Sequence, residues 1–76
     1  MTRASSAELL IVGSELLAGA TDANGPYLAD QLLPLGISVR RTTVVGDSHR
    51  EIAQALRESL TRTGLVLVAG GLGPTG

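Results

Sequence analysis

The side chains of this sequence that could take part in chemistry collect in three places. Ser14, Glu15, Thr21, Asp22 and Asn24 lie within one glycine-bounded stretch, Gly13–Gly25. Asp47 follows a β-branched run, and Thr75 follows a glycine-rich segment, Gly70-Gly71-Leu72-Gly73-Pro74, that is itself preceded by five apolar residues, Leu65–Ala69. Glycines at the end of a buried strand permit a sharp turn and let another molecule approach bare N–H groups, an arrangement suited to an anion such as phosphate. Carboxylates are tolerable beside that anion when a hard cation lies between them, so Glu15, Asp22 and Asp47 imply Mg²⁺ or a similar ion. The chemistry expected is recognition of a phosphorylated small molecule.

The elements that must position these groups are legible from hydrophobic pattern. Met1–Ala7 is polar and reads as frayed, whereas Glu8–Val12 is a compact apolar strand stopped by Gly13. Gly13–Gly25 lacks periodicity and reads as a functional loop. Pro26 suits a first helical turn capped by Asn24 or Gly25, and Tyr27, Leu28, Leu32 and Leu35 then share a face. Pro34 has no N–H and would crowd the carbonyl of Asp30, so the helix should end or bend near Leu33 and exit through Gly36. In the second strand, Ile37–Val45, odd positions alternate with Ser38, Arg40, Thr42 and Val44, a mixture suited to a sheet edge. Ser48 and Glu51 fit a capping box. Ile52, Leu56 and Leu60, with Ala53 and Ala55, make the stripe of the helix that follows, and Glu58 and Arg62 have the favourable i,i+4 order. Gly64 precedes the last strand, Leu65–Ala69, which has nothing polar on either face and reads as buried on both.

The order strand, helix, strand, helix, strand predicts an α/β, three-layer fold with a parallel sheet, spatial order 2-1-3 and one helix on each face. An apolar strand at a sheet edge implies a missing neighbour, so the chain reads as part of a larger domain. The loops after all three strands should meet at one edge, with the ligand at the crevice between the first and third.

Composition narrows the function classes. At 76 residues and 43% hydrophobic content the chain is one small domain with an aliphatic core, Tyr27 being its single aromatic. Six arginines, no lysine and seven acidic residues give a net charge of −1, poor material for nucleic acid. Without cysteine there is no disulfide framework or thiolate metal site. The run Leu9–Val12 is too short for a signal peptide or a membrane span, leaving the cytoplasm as the expected location. Gly71–Gly76 matches G-x-G-x-x-G, but it follows the third strand with no helix or acidic residue beyond it, and a P-loop needs a lysine. Plainer roles stand beside the functional ones: Glu15 and Asp22 as solvated carboxylates, Asp47 as a helix-dipole charge, Asn24 as a cap, His49 as exposed, and Arg40 and Arg41 as edge charges.

Taken as an ordered set, Gly13-Ser-Glu-Leu-Leu17, Gly19, Asn24, Tyr27-Leu28, Gly36, Val45-Gly46-Asp47, Ala55-Leu56 and Leu65–Thr75 resemble the amino-terminal domain of the CinA family. These are competence/damage-inducible proteins within the MoaB/Mog molybdopterin-binding superfamily. The likeness covers nearly the whole chain, and Gly-Gly-Leu-Gly-Pro-Thr is closer to the CinA form than the Gly-Gly-Thr-Gly of molybdenum-cofactor enzymes. It implies that residues 1–76 are the amino-terminal part of a MoaB/Mog-like domain, interrupted after that loop and inactive alone. The intact parent would hydrolyse the pyrophosphate of ADP-ribose with a divalent metal such as Mg²⁺. Ser14, Glu15, Asn24, Gly70, Gly71, Gly73, Pro74 and Thr75 would bind substrate or phosphate, with Glu15 and Asp47 on the metal and no catalytic residue assigned. The alternative implied is a molybdopterin-binding domain, for adenylyl transfer or binding alone; a third reading is a truncated frame without function. The partners expected are a nucleotide or pterin phosphate and the remainder of the domain, with a homo-oligomeric parent allowed. Three departures stand out: Ser14 where threonine is usual, Pro34 within a helix, and no acidic pair after the Gly-Pro-Thr loop.

Overall fold

Ser5–Val12 forms the first strand, β1, and every residue from Ala7 onward in it is buried. The computed structural model describes residues 5–70, so expectations resting on Gly71, Gly73, Pro74 and Thr75 lie outside the described residues. Ser5–Ala7 are not frayed: they pair with Ile37, Ser38 and Val39, because their small side chains leave the backbone free to extend the parallel ladder. The elements that follow are a single helical turn α1 (Ser14–Leu17), α2 (Asn24–Leu32), β2 (Ile37–Val45), α3 (His49–Leu60) and β3 (Val66–Gly70). The sheet is parallel with order β2-β1-β3, as the pattern predicted.

Burial of β1 organises the packing. Leu9 and Ile11 meet Leu32 of α2, with Leu28, Ile37, Val39, Val44, Leu67 and Ala69 packed around them. Each fully buried aliphatic side chain of this size contributes about 1.5–3 kcal/mol. The predicted face of α2 is only half right: Leu28 and Leu32 turn inward, whereas Tyr27 and Leu35 are exposed. Leu35 departs because the α-helix stops at Leu32 and Leu33–Leu35 winds as a 3₁₀ turn around Pro34, ending at Gly36 with φ +79°. In α3, Ala55 and Ser59 are the buried positions, and Leu60 is left outside.

Arg40 breaks the alternation expected of β2. Ala7 pairs with Val39 but Glu8 pairs with Arg41, a bulge that gives β2 one extra residue. Beyond it the phase reverses, so Val44 joins Ile37 and Val39 in the core beside α2, and Arg41 comes to the face that Glu8 occupies. On that face Arg62, just past α3, grips Glu8 through two bonds of 2.8 Å, Nε to Oε2 and Nη2 to Oε1, while Arg41 Nε stands 3.9 Å from Oε2. The predicted Glu58–Arg62 pair is therefore replaced: Arg62 lies beyond the last helical residue, and Glu58 accepts from Gln54 Nε2.

The third strand departs from expectation in one respect. It is a strand in the predicted place, but no residue of it is buried, and Val68 is half exposed. Among the described residues only β1 pairs with it, and burial on both faces is not reached. Among the described residues, no helix is long and apolar enough to cross a membrane.

The Arg62 hydrogen bonds hold the Glu8 carboxyl below its ordinary value of 4.5 against the opposing effect of burial, with the charges of Arg62 and Arg41 assisting. Because the folded value is depressed, the stabilisation is complete above pH about 4.5 and is lost as pH falls through the folded value. Thermal unfolding followed from pH about 7 down to about 3 should show this loss in the native chain. Glu8→Gln should unfold at a lower temperature at neutral pH and lose less on acidification; parallel profiles for the two proteins would contradict the assignment.

Candidate functional site

In the ladder Val12 pairs with Val45 on one side and with Gly70 on the other, so the carboxyl ends of all three strands reach one edge of the sheet together. Gly13 N–H donates to the carbonyl of Val45 at 2.9 Å and carries the β1–β2 pairing one residue further. With β2 and β3 on opposite sides of β1, this edge is the switch point of the sheet, where open α/β folds form their ligand crevices.

The segment after β1 is not a featureless loop. Ser14–Leu17 makes one helical turn, and the N–H of Ala20 returns to the carbonyl of Glu15 at 3.0 Å. That turn aims Ser14 at the end of β2. The Ser14 hydroxyl donates to Asp47 Oδ2 and accepts from Asp47 N–H, both at 3.3 Å, so two residues 33 positions apart are joined twice. Buried Gly46 makes room for this contact: a Cβ there would stand 3.3 Å from Ser14 Oγ and 3.6 Å from Leu17 Cδ1. The Glu51 carboxylate lies over the same glycine, with Oε1 3.7 Å from that Cβ position. The Glu15 carboxylate folds back over Gly13, 3.0–3.3 Å from where a side chain would begin.

The candidate residues are thus distributed unevenly. Ser14 and Asp47 are brought together, and Glu15 lies over the adjacent end of β1. Asn24 is exposed in the first turn of α2; its N–H and that of Gly25 are both bound by Asp22 Oδ1 at 3.0 Å. Asp22, one residue before the cap position Ala23, therefore supplies the acceptor for the first N–H groups of α2, in place of the side chain of Asn24. Gly25 is buried against Asp22, and a Cβ there would overlap the Asp22 carboxylate. His49 is exposed at the start of α3, as expected, and Ser48 caps that helix by accepting from Glu51 N–H at 3.3 Å.

Gly70 has φ +91°, and a Cβ on it would run into the carbonyl oxygen of Val12. The sheet itself needs glycine at this position, whatever the loop beyond it binds. Glu51 is the residue near the site that sequence reasoning did not put there. Its spacing from Ser48 marked a cap, and nothing local showed that its carboxylate would lie over Gly46.

Among the described residues, the side chains brought to this edge include the Ser14 hydroxyl and the carboxylates of Asp47, Glu15 and Glu51, all oxygen donors. That set suits Mg²⁺, which commonly takes one or two carboxylates and completes its shell with water and substrate phosphate. Among the described residues no three His, Cys, Asp or Glu side chains converge as a closed metal cage.

Comparison with known proteins shows the family and the fold. Residues 8–76 match the family model described as "Probable molybdopterin binding domain". A CinA-like protein of Anaeromyxobacter sp. is 49% identical over 90% of this chain and 17% of its own length. A relative from Shouchella clausii that carries the competence-damage inducible name is 46% identical over 92% of this chain and 17% of its own. The crystal structure of the CinA protein of Thermoplasma acidophilum, described as of unknown function, superposes with a TM-score of 0.85 at 40% identity. It matches 95% of this chain, which in turn spans 43% of that protein.

Two substitutions separate what the fold needs from what the crevice needs. Asp22→Ala should cost about 1 kcal/mol through loss of the α2 cap. Gly70→Ala should cost about 1–3 kcal/mol from the backbone conformation alone, with the overlap at Val12 adding to it. Denaturant unfolding measures both; a neutral Gly70→Ala would show that β3 is not held against β1 as described.

Proposed function

The chain belongs to the MoaB/Mog-like molybdopterin-binding domain family, and from that premise we propose that it binds the diphosphate of a nucleotide such as ADP-ribose at the carboxyl edge of its sheet. The observation that carries this reading is the double Ser14–Asp47 hydrogen bond, which fastens the segment after β1 to the segment after β2 beside the end of β3. Asp47 and Glu15 are the residues that would hold a divalent cation, with Ser14 fixing the Asp47 carboxylate. A bound Mg²⁺ would supply charge neutralisation of pyrophosphate oxygens. Gly70, Gly71, Gly73, Pro74 and Thr75 are assigned to phosphate, and Asn24 to ribose or phosphate.

Hydrolysis of the pyrophosphate is assigned to a longer protein of the CinA-like kind, to which this chain contributes the binding half. The two carboxylates here suffice to orient a phosphate-bound cation, whereas in-line displacement also needs a group to orient the attacking water. The second reading, a molybdopterin site, is favoured by the description of the family itself. The two share the anion-binding edge and differ in the group stacked or hydrogen-bonded beyond the phosphate.

Calorimetric titration of the chain with ADP-ribose, with and without Mg²⁺, tests the proposal. Binding should require the metal and should weaken roughly tenfold in Asp47→Asn, the loss of one charged contact. His49→Ala should bind like the native chain. Equal affinity with and without metal would overturn the metal assignment. Binding of molybdopterin with none of ADP-ribose would move the conclusion to the second reading, and release of AMP by the chain itself would overturn its assignment to binding alone.

A further inference from the structure

The opposite edge of the sheet carries a feature that the proposed function does not use. A cleft of about 270 Å³ opens there between the amino-terminal halves of β1 and β2 and the turn before β3, lined by Ser6, Glu8, Arg40, Arg41, Arg62 and Thr63. Three arginines against one glutamate leave two positive charges in a chain whose net charge is −1. The three differ in what they already hold. Arg62 is spent on Glu8 through both of its bonds. Arg41 touches Glu8 only at 3.9 Å, beyond hydrogen-bond range, and its side chain is 58% exposed. Arg40 is exposed and makes no hydrogen bond or ion pair among the described residues. The bulge at Arg40 causes this clustering, because it brings Arg41 onto the face of Glu8 and Arg62 with Arg40 beside it.

From this arrangement we propose that the cleft is a second anion site, which takes a doubly charged oxyanion, the phosphate group of a small molecule. Two guanidinium forks with free donors match the oxygens of such a group, and two net positive charges match its charge. The Glu8–Arg62 pair lines the cleft beside these two arginines and leaves the phosphate to Arg40 and Arg41. Glu8 excludes a ligand that would seat directly on Arg62, since carboxylate and phosphate would repel. The Thr63 hydroxyl is already engaged, donating to the Ser6 carbonyl at 3.1 Å and accepting from Leu65 N–H at 3.3 Å.

Nuclear magnetic resonance of the backbone N–H and arginine Nε–H groups during titration with inorganic phosphate at low ionic strength tests the site. Saturable shifts at Arg40 and Arg41 are expected, with sodium chloride at matched ionic strength producing none that saturate. The Arg40→Ala/Arg41→Ala variant should lose the saturable shifts at the backbone N–H groups of Ser6, Glu8 and Thr63, which line the cleft, and keep any that arise at Gly70. Arg40→Lys/Arg41→Lys, which preserves charge and β2 solubility, should bind roughly tenfold more weakly through loss of the forked donors. Shifts that follow ionic strength alone, that are confined to residues 13–25 and Gly70, or that appear only with a glutamate-rich peptide would overturn the proposal. Failure at Gly70 alone would count against the proposed function and leave this site intact.

Discussion

Every element of this fold is placed by the need to bury β1 with its one charge satisfied. A central parallel strand has both backbone edges paired and both faces covered, so any polar side chain on it must find its partner inside the protein. Glu8 is that side chain, and Arg62 reaches it only because α3 ends at Leu60 and the chain turns back toward the sheet. Thr63 adds a second tie to the same region by bonding the Ser6 carbonyl. A buried ion pair is not in itself a large source of stability, but breaking one strands a charge, which makes the arrangement a constraint on how α3 may approach. Buried Ser59 lies in the same neighbourhood; its hydroxyl helps keep Glu8 ionised without a bond of good geometry.

The bulge at Arg40 reconciles two demands that strict alternation would set against each other. Ile37 and Val39 must face α2 at the start of β2, and Val44 must do so near its end. Odd and even positions cannot share a face without an inserted residue. Placing that residue at Arg40 solves the core problem at an edge strand, where a bulge costs little pairing, and it also gathers arginines at one end of the sheet.

The opposite end is built by different means. Parallel register brings three strand ends level, and glycines at Gly46 and Gly70 allow close contacts that larger residues would block. The Ser14–Asp47 bonds then cross from one loop to the next, a connection that neither loop could make alone. The chain belongs to the MoaB/Mog-like family and is similar to CinA-like proteins, and in it the sheet is the scaffold that brings these loops together.

Much of this was legible in the sequence because it depends on local pattern. The strand and helix order, the stop at Pro34, the Ser48 cap and the 2-1-3 sheet follow from periodicity, backbone restrictions and crossover handedness, which act over a few residues or by topology. The pairing of Ser14 with Asp47 was within reach as a shared loop edge, though not as a contact. Tertiary structure alone decided the rest. Arg62 chose Glu8 over Glu58 because a buried carboxylate needs a partner far more than a solvated one does. Asp22, from one residue before the cap position, took the first N–H groups of α2 in place of Asn24, and Leu35 and Leu60 lost the burial their spacing suggested once the chain turned away from the sheet. The phase of β2 after Arg40 depended on which face α2 had to cover, a fact that exists only when the layers are assembled.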